Sequence, residues 1–193
     1  MLFRSKKDRK NIILQSLAGM LEERNLSKIT TAALAEKSGI TEAALYRHFP
    51  SKRSIYAELF SFCDEAIFTK CNELKKSKIT SKEKVKNTFM FFMLFVEKNK
   101  GFARLLSREA LSSNEQNVSD NVNQFFERLE LVLRQMLKEN EDELRTQAGI
   151  SAQLIVTVLE GNISRFIRSK FKNAPSSYTE NVWKILSISI FKS

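Results

Sequence analysis

Residues 30–52, with the sequence TTAALAEKSGITEAALYRHFPSK, decide how the rest of the chain is interpreted. Thr30 and Thr41 each stand where a side-chain oxygen can cap the first turn of a helix. Gly39 lies between them and permits the positive φ of a tight turn. Pro50 ends the second helix, because proline cannot continue one. The stretch therefore predicts two short helices joined by a turn of about three to four residues.

Each of these predicted helices has one apolar side. The first turns Leu34 and Ala35 inward, and the second turns Ala44, Leu45 and Phe49 inward. The side chains of the second helix that point elsewhere are Glu42, Ala43, Tyr46, Arg47 and His48. A short second helix with small residues near its start is typical of a helix-turn-helix, in which that helix enters the DNA major groove. An ordinary helical hairpin is the alternative.

The charge of the chain indicates an anionic partner. The 193 residues carry a formal net charge of +10, and nucleic acid is the first candidate. Residues 1–60 hold 11 basic against 6 acidic residues, a net of +5, so the remaining residues also carry +5. The positive charge is therefore not confined to the helix-turn-helix. For the C-terminal part, a second acidic partner and a plain solvated basic surface are both open.

Cysteine usage and hydropathy place the protein in the cytoplasm. Cys63 and Cys71 are eight residues apart on one predicted helix, too far for a mutual disulfide, and we expect buried thiols. The longest apolar run, 89–96, is much shorter than the ~20 residues that a membrane crossing needs. No secretory signal is recognisable at the start. We expect a cytoplasmic, nucleoid-associated protein with no membrane partner.

Apolar residues recur at helical spacing along the whole chain, and nothing alternates with the period of a strand, so the fold class is all-α. Ile13, Leu17, Met20 and Leu21 form the buried stripe of the first helix. The expected helices outside the helix-turn-helix cover residues 8–24, 51–76, 80–98, 102–111, 117–144, 149–171 and 179–191. On the second of these, the inner side would be Ile55, Leu59, Cys63, Phe62 and Ala66, and on the sixth Leu154, Val158, Ile163, Phe166 and Ile167.

Two domains are expected, an N-terminal three-helix DNA-binding domain over 1–52 and a helical dimerisation and partner-binding domain over 53–193. Residues 1–10 contain five basic residues and would form an arm that follows the phosphate backbone or enters the minor groove. The last helix, with Trp183 and Leu186, is apolar on more than one face. It predicts a two-fold subunit interface to which the preceding helix contributes, the alternative being packing within one subunit.

Enzymatic activity has little support in this sequence. It contains no glycine-rich phosphate loop, no metal-ligand spacing and one histidine, so no catalytic residue, metal site or cofactor is expected.

Residues 29–59, ITTAALAEKSGITEAALYRHFPSKRSIYAEL, resemble the DNA-binding domain of the TetR family of transcriptional regulators. Its helix-turn-helix typically ends in a Tyr-x-x-Phe-x-x-Lys element, which is Tyr46, Phe49 and Lys52 in this chain. The resemblance implies a TetR-like fold and DNA contacts from Thr30, Thr41, Ala43, Tyr46, Arg47, His48 and Lys52.

These residue types suit DNA. Thr30 and Lys52 can bind phosphates, Tyr46 can pack on the sugar-phosphate edge, and Arg47 or His48 can donate hydrogen bonds. For His48, a neutral imidazole lying against the backbone is an equal alternative.

Further stretches, at 11–23, 121–130 and 164–175, resemble one branch of this family, the nucleoid occlusion factors. Members of that branch bind specific chromosomal sites as dimers and, when bound to DNA, antagonise assembly of the tubulin-like division protein FtsZ. The resemblance implies a homodimer and a groove between the helices over 51–76 and 80–98. This groove would hold the acidic, apolar C-terminal tail of FtsZ through Phe62, Lys70, Lys98 and Asn99.

The chain departs from the branch pattern within that groove. Lys70 and Lys98 replace arginines and lose forked hydrogen bonding, and Leu94 occupies a position where the relative has a small residue. Phe62 is equally compatible with a plain core position. Whether one or two dimers occupy a DNA site stays open.

A ligand-responsive TetR-type repressor is the alternative function. In that case a small molecule would enter the second domain and change DNA affinity through a coupling of ~1–3 kcal/mol. The phenylalanine-rich helices carry few polar groups that could orient such a ligand.

Overall fold

The computed structural model describes residues 6–23, 26, 29–111 and 116–192. In this part of the chain the secondary structure is α-helical, with two single-turn 3-10 helices and one isolated antiparallel bridge between Leu144 and Phe191, so the all-α prediction is confirmed. The α-helices are α1 Lys6–Glu22, α2 Thr31–Lys37, α3 Glu42–His48, α4 Lys52–Lys76, α5 Ser81–Lys98, α6 Lys100–Leu106, α7 Gln116–Lys138, α8 Ala148–Arg168 and α9 Thr179–Ile190. Residues 1–5 of the predicted basic arm and Arg24, the predicted end of the first helix, lie outside the described residues.

The chain forms two compact units. The first lies within Met1–Cys63 and Asn99–Asp120, and the second within Asp64–Lys98 and Asn121–Ser193. These bounds differ from the predicted domains 1–52 and 53–193, because α6 packs closely on α1. A Cβ added at Gly101 would lie 2.8 Å from the Ala18 carbonyl oxygen, so only glycine fits this approach.

The first unit buries the faces that the sequence predicts for its short helices. Leu34 and Ala35 of α2 and Leu45 of α3 are buried, as are Phe49 and the predicted stripe of α1. The guanidinium of Arg104 on α6 is buried and donates to the backbone carbonyl of Glu23, just beyond the end of α1. The first unit is therefore a three-helix head braced by α6.

The predicted inner side of α4 is wrong at two positions. Phe62 is 65% exposed and Ala66 is half-buried, whereas Tyr56 and Phe60 are buried. Phe62 shares the helix face of Ile55, but at its level the first unit has an open cleft in place of a packed neighbour.

The second unit is built around α5, which packs against α8, α9 and the 3-10 helix Pro175–Ser177. Its predicted apolar face is buried and consists of Val85, Phe89, Phe92 and Val96. The predicted capping box at its start is confirmed. The Thr80 hydroxyl accepts from the Glu83 N–H at 3.2 Å, and the Glu83 carboxylate accepts from the Thr80 N–H at 3.0 Å.

Three helices end earlier than the sequence predicts. The helix expected over 102–111 is α6, which ends at Leu106, and Arg108 then has a φ of 61°. α7 ends at Lys138, before Leu144 joins the antiparallel bridge. α8 ends at Arg168, because Lys170 and Phe171 adopt left-handed φ values of 55° and 61° that stop a right-handed helix.

α8 and α9 each bury one face and expose apolar residues on another. On α9, Trp183, Leu186 and Ile190 are buried within the unit, while Ile185 and Ile188 are each 69% exposed. On α8, Ile163 and Phe166 are buried as predicted, but Leu154 is exposed and Val158 and Ile167 are half-buried, because the core side carries the residues Ala152, Ile155, Val156 and Leu159. The prediction that Trp183 and Leu186 face a second subunit is therefore wrong, since both belong to the core.

Cys63 and Cys71 are free and buried, as expected, and burial raises the pKa of Cys63 to about 12 and of Cys71 to about 11. No helix in the described part of the chain is long and apolar enough to span a membrane.

Candidate DNA-binding interface and partner-binding cleft

The two helices of the predicted helix-turn-helix are fixed by threonine caps. The Thr30 hydroxyl accepts from the Ala33 N–H at 3.1 Å, and the Thr41 hydroxyl accepts from the Ala44 N–H at 3.2 Å. Gly39 between them has a φ of 67°, the left-handed conformation that the turn needs. The sequence therefore specifies both helix starts and the turn directly.

Side chains also tie α2 to α3. The Thr31 hydroxyl donates to the Glu42 carboxylate, and the Tyr46 hydroxyl donates to the Thr31 oxygen at 3.4 Å. The sequence analysis did not assign Thr31 or Glu42 a role. The available signal was their position one residue after each capping threonine, where a polar side chain can reach the neighbouring helix. This network holds the ring of Tyr46 on the exposed side of α3.

The outward face of α3 consists of the predicted side chains. Thr41, Ala43 and Arg47 are exposed, Tyr46 is 46% exposed, and His48 is half-buried. Thr30 precedes α2 and is also exposed. Leu45 and Phe49 are buried behind this face, so the rest of α3 is free to contact a partner.

Cations lie at the end of α3 and at the start of α4. Arg47 and His48 occupy the last turn of α3, and Lys52 is the first residue of α4. The Lys52 ammonium lies 5.3 Å from the ring centroid of Tyr56, and the Lys10 ammonium of α1 lies 5.1 Å from that of Phe49. These cations and the free backbone N–H groups of the first turn of α4 suit phosphate oxygens.

A cleft of about 260 Å³ opens in the first unit between α1, α4 and the start of α6. Phe62 and Asn99, both predicted to bind a partner, line it, and Gly101 and Phe102 lie beside Asn99. Phe62 is an exposed aromatic side chain here, so the plain-core alternative is excluded.

The other two predicted partner-binding residues belong to the second unit. Lys70 of α4 forms an ion pair with Glu73 at 3.1 Å, and Lys98 is an exposed residue at the end of α5. Leu94, where the sequence departs from the branch pattern, is 43% exposed on α5.

Neither a metal nor a drug-sized ligand fits what is seen. The described residues include no cluster of histidine, cysteine and acidic side chains that could hold a metal ion. The cleft, at about 260 Å³, is below the roughly 300–1,000 Å³ that is usual for small-molecule sites.

Comparison with known families identifies both parts of the chain. Residues 13–59 match the model described as bacterial regulatory proteins, tetR family, and residues 80–190 match the model described as tetracyclin repressor-like, C-terminal domain. The fold agrees. A TetR transcription regulator from Haloarcula marismortui superposes with a TM-score of 0.80 at 14% identity, covering 96% of this chain and 100% of that one. The chain is thus a DNA-binding regulator of the TetR class.

Sequence relatives narrow this class. The chain is 38% identical over 190 residues to a nucleoid occlusion factor SlmA of Vibrio campbellii, and 36% identical over 190 residues to one of Marinobacter nauticus. Each match covers 96% of this chain and 97% of the relative. Within the TetR family, the chain therefore belongs to the SlmA nucleoid occlusion factors.

Proposed function

We propose that this nucleoid occlusion factor binds specific chromosomal sites as a homodimer through α3 and, while bound to DNA, antagonises FtsZ assembly over the nucleoid. The observation that carries the proposal is the outward face of α3. Its small, aromatic and cationic side chains are presented by a helix whose start, turn and inner face are all fixed by named contacts. Such a face matches the recognition helix of a helix-turn-helix.

The DNA contacts follow from the residue types. Ala43 lets the helix approach the groove floor, while Arg47 and His48 offer donors to base edges or phosphates. Thr30, Thr41 and Lys52 bind phosphate oxygens, and Tyr46 packs on the sugar-phosphate edge. The Lys10 side chain, the part of the basic arm that the structure describes, adds a further cation near α3.

TetR-family regulators act as dimers, and we place the interface of this chain on the exposed faces of α8 and α9. Ile150 and Leu154 of α8 are 54% and 39% exposed, and Ile185 and Ile188 of α9 are both 69% exposed. Large apolar side chains at this exposure, on two helices that pack against the same core helix, suit an isologous contact.

The same proposal assigns the FtsZ tail to Phe62, Lys70, Lys98 and Asn99. An exposed aromatic ring offers an apolar anchor, the two lysines attract carboxylates, and the Asn99 amide can bind main-chain groups. The cleft beside Phe62 supports this assignment, because it gives the anchor a recess to cover.

Sedimentation of FtsZ polymers tests the proposal. Purified FtsZ is polymerised with the protein and either a duplex that it selects from the chromosome or a scrambled duplex of equal length. We expect less polymer in the pellet with the selected duplex only. Equal pelleting with both duplexes would reject the division role and leave a TetR-type transcriptional repressor as the function.

A further inference from the structure

The wall of the cleft contributed by α1 is a continuous stripe. It consists of residues at spacings of three and four along one face of the helix: Asn11, Leu14, Gln15, Ala18 and Glu22. At 1.5 Å per residue these positions span about 16 Å of helix. A groove of that length accommodates about five residues of an extended peptide, at roughly 3.3 Å per residue.

The floor of the groove is apolar. Leu14, Leu59 and Phe102 are buried beneath it, and Phe62 stands exposed at its edge. The close approach of α6 to α1 at Gly101 closes the base and keeps the groove shallow. A volume of about 260 Å³ is too small for a helix of roughly 10–12 Å diameter, so an extended segment is the form that fits.

The rim on the α1 side is polar and almost neutral. Asn11 and Gln15 are exposed and one turn apart, and each amide offers both a donor and an acceptor. Glu22 is the single charged side chain in the lining of this groove. Amides match the N–H and C=O groups of an extended main chain, whereas Glu22 repels a carboxylate.

We propose that α1 forms part of the FtsZ tail site, with Asn11 and Gln15 binding the main chain of the tail and Glu22 rejecting carboxylates at its own end. This inference rests on the proposed FtsZ-binding function and adds three residues on α1 to it. The apolar residues of the tail then cover Leu14, Leu59 and Phe102, and its acidic residues lie away from Glu22.

The placement has a consequence for regulation. α1 packs on α2 and belongs to the head that carries α3, so a bound tail contacts the same helical unit that reads DNA. Two ligands on one small unit can influence each other's affinity, and the influence is reciprocal.

Fluorescence anisotropy with a labelled peptide of the FtsZ C-terminal tail, at saturating operator duplex, tests the proposal on the full-length dimer. We expect Asn11→Ala and Gln15→Ala each to weaken peptide binding about three- to tenfold, the loss of one hydrogen-bonding side chain. Glu22→Gln should tighten binding about twofold at low salt and lose this gain at high salt. Gln124→Ala removes an exposed glutamine of α7 in the second unit and serves as the matched control, with unchanged affinity expected.

The outcomes are separable. If wild-type protein binds the peptide and Asn11→Ala, Gln15→Ala and Gln124→Ala bind it equally well, the role of α1 is rejected while the proposed function stands. If wild-type protein does not bind the peptide, both are rejected. Thermal melting and operator titration of each variant confirm that folding and DNA binding are intact, so a weakened peptide complex reports on the groove.

Discussion

The DNA-reading surface lies on α2 and α3, which have seven residues each, whereas the proposed subunit interface lies on α8 and α9, which have 21 and 12. Isolated helices of seven residues are unstable in water, so α2 and α3 depend on caps, a glycine turn and a few buried side chains. α8 and α9 are held by a packed apolar face. The head therefore exposes polar side chains, while the second unit exposes isoleucines to another apolar surface.

Charge on the apolar face gives the largest expected effect. Ile185→Glu or Ile188→Glu places two carboxylates in a two-fold interface, where desolvation costs several kcal/mol per ion. We expect the dimer to dissociate at least about 100-fold more readily and to elute as a monomer in size-exclusion chromatography with light scattering. Gln124→Glu, which adds the same charge on exposed α7, should remain a dimer. Intact dimers for both isoleucine variants would place the interface elsewhere.

The polar face of the head allows a second prediction. Arg47→Ala should weaken binding to the selected duplex by about 1–3 kcal/mol and relax the base preference. Lys52→Ala should weaken selected and scrambled duplexes alike and reduce the salt slope by about 1. Titrations at several salt concentrations measure both quantities. If Arg47→Ala weakened both duplexes equally, the assignment of Arg47 to base edges would be wrong.

Loss of a cap should have a moderate effect on the head. Thr41→Ala removes the acceptor for the Ala44 N–H and should lower the free energy of unfolding by about 1 kcal/mol. Thr41→Ser keeps a hydroxyl and should lose much less. Urea denaturation compares the two variants, and equal stabilities would show that α3 does not depend on its cap.

The smallest effect concerns pH, and it separates the caps of the two regions. The Glu83 carboxylate accepts from the Thr80 N–H and hydroxyl, and these bonds hold its pKa below the ordinary value of 4.5. Its contribution is therefore present above the ordinary pKa and is lost as the pH falls through the lowered one. The stability difference between wild type and Glu83→Gln should shrink from about pH 6 to about pH 3. A pH-independent difference would exclude the carboxylate as its source, and the hydroxyl caps of the head provide no such titration.

The sequence predicts the head better than the rest of the chain. Thr30, Gly39 and Thr41 act on residues within three positions of themselves, so local chemistry determines both helix starts and the turn. The Thr80 and Glu83 capping box is predictable for the same reason.

Long-range packing explains what the sequence could not predict. Phe62 has the helical spacing of a core residue, and only the cleft beside it makes it exposed. Trp183 and Ile185 are both apolar residues of one helix, and the packing of α9 on α5 decides which of them is buried. The part that α1 plays in the cleft depends on the close approach of α6 at Gly101, about 80 residues away in the chain.

Selection of duplexes from fragmented chromosomal DNA tests the central claim most directly. Purified protein is incubated with the fragments at moderate salt and excess competitor, and the retained fragments are sequenced. We expect enrichment of a two-fold symmetric site for wild type and loss of that enrichment for Arg47→Ala and for Ile188→Glu. Retention of all fragments in proportion to their length, with no enriched site, would contradict the account.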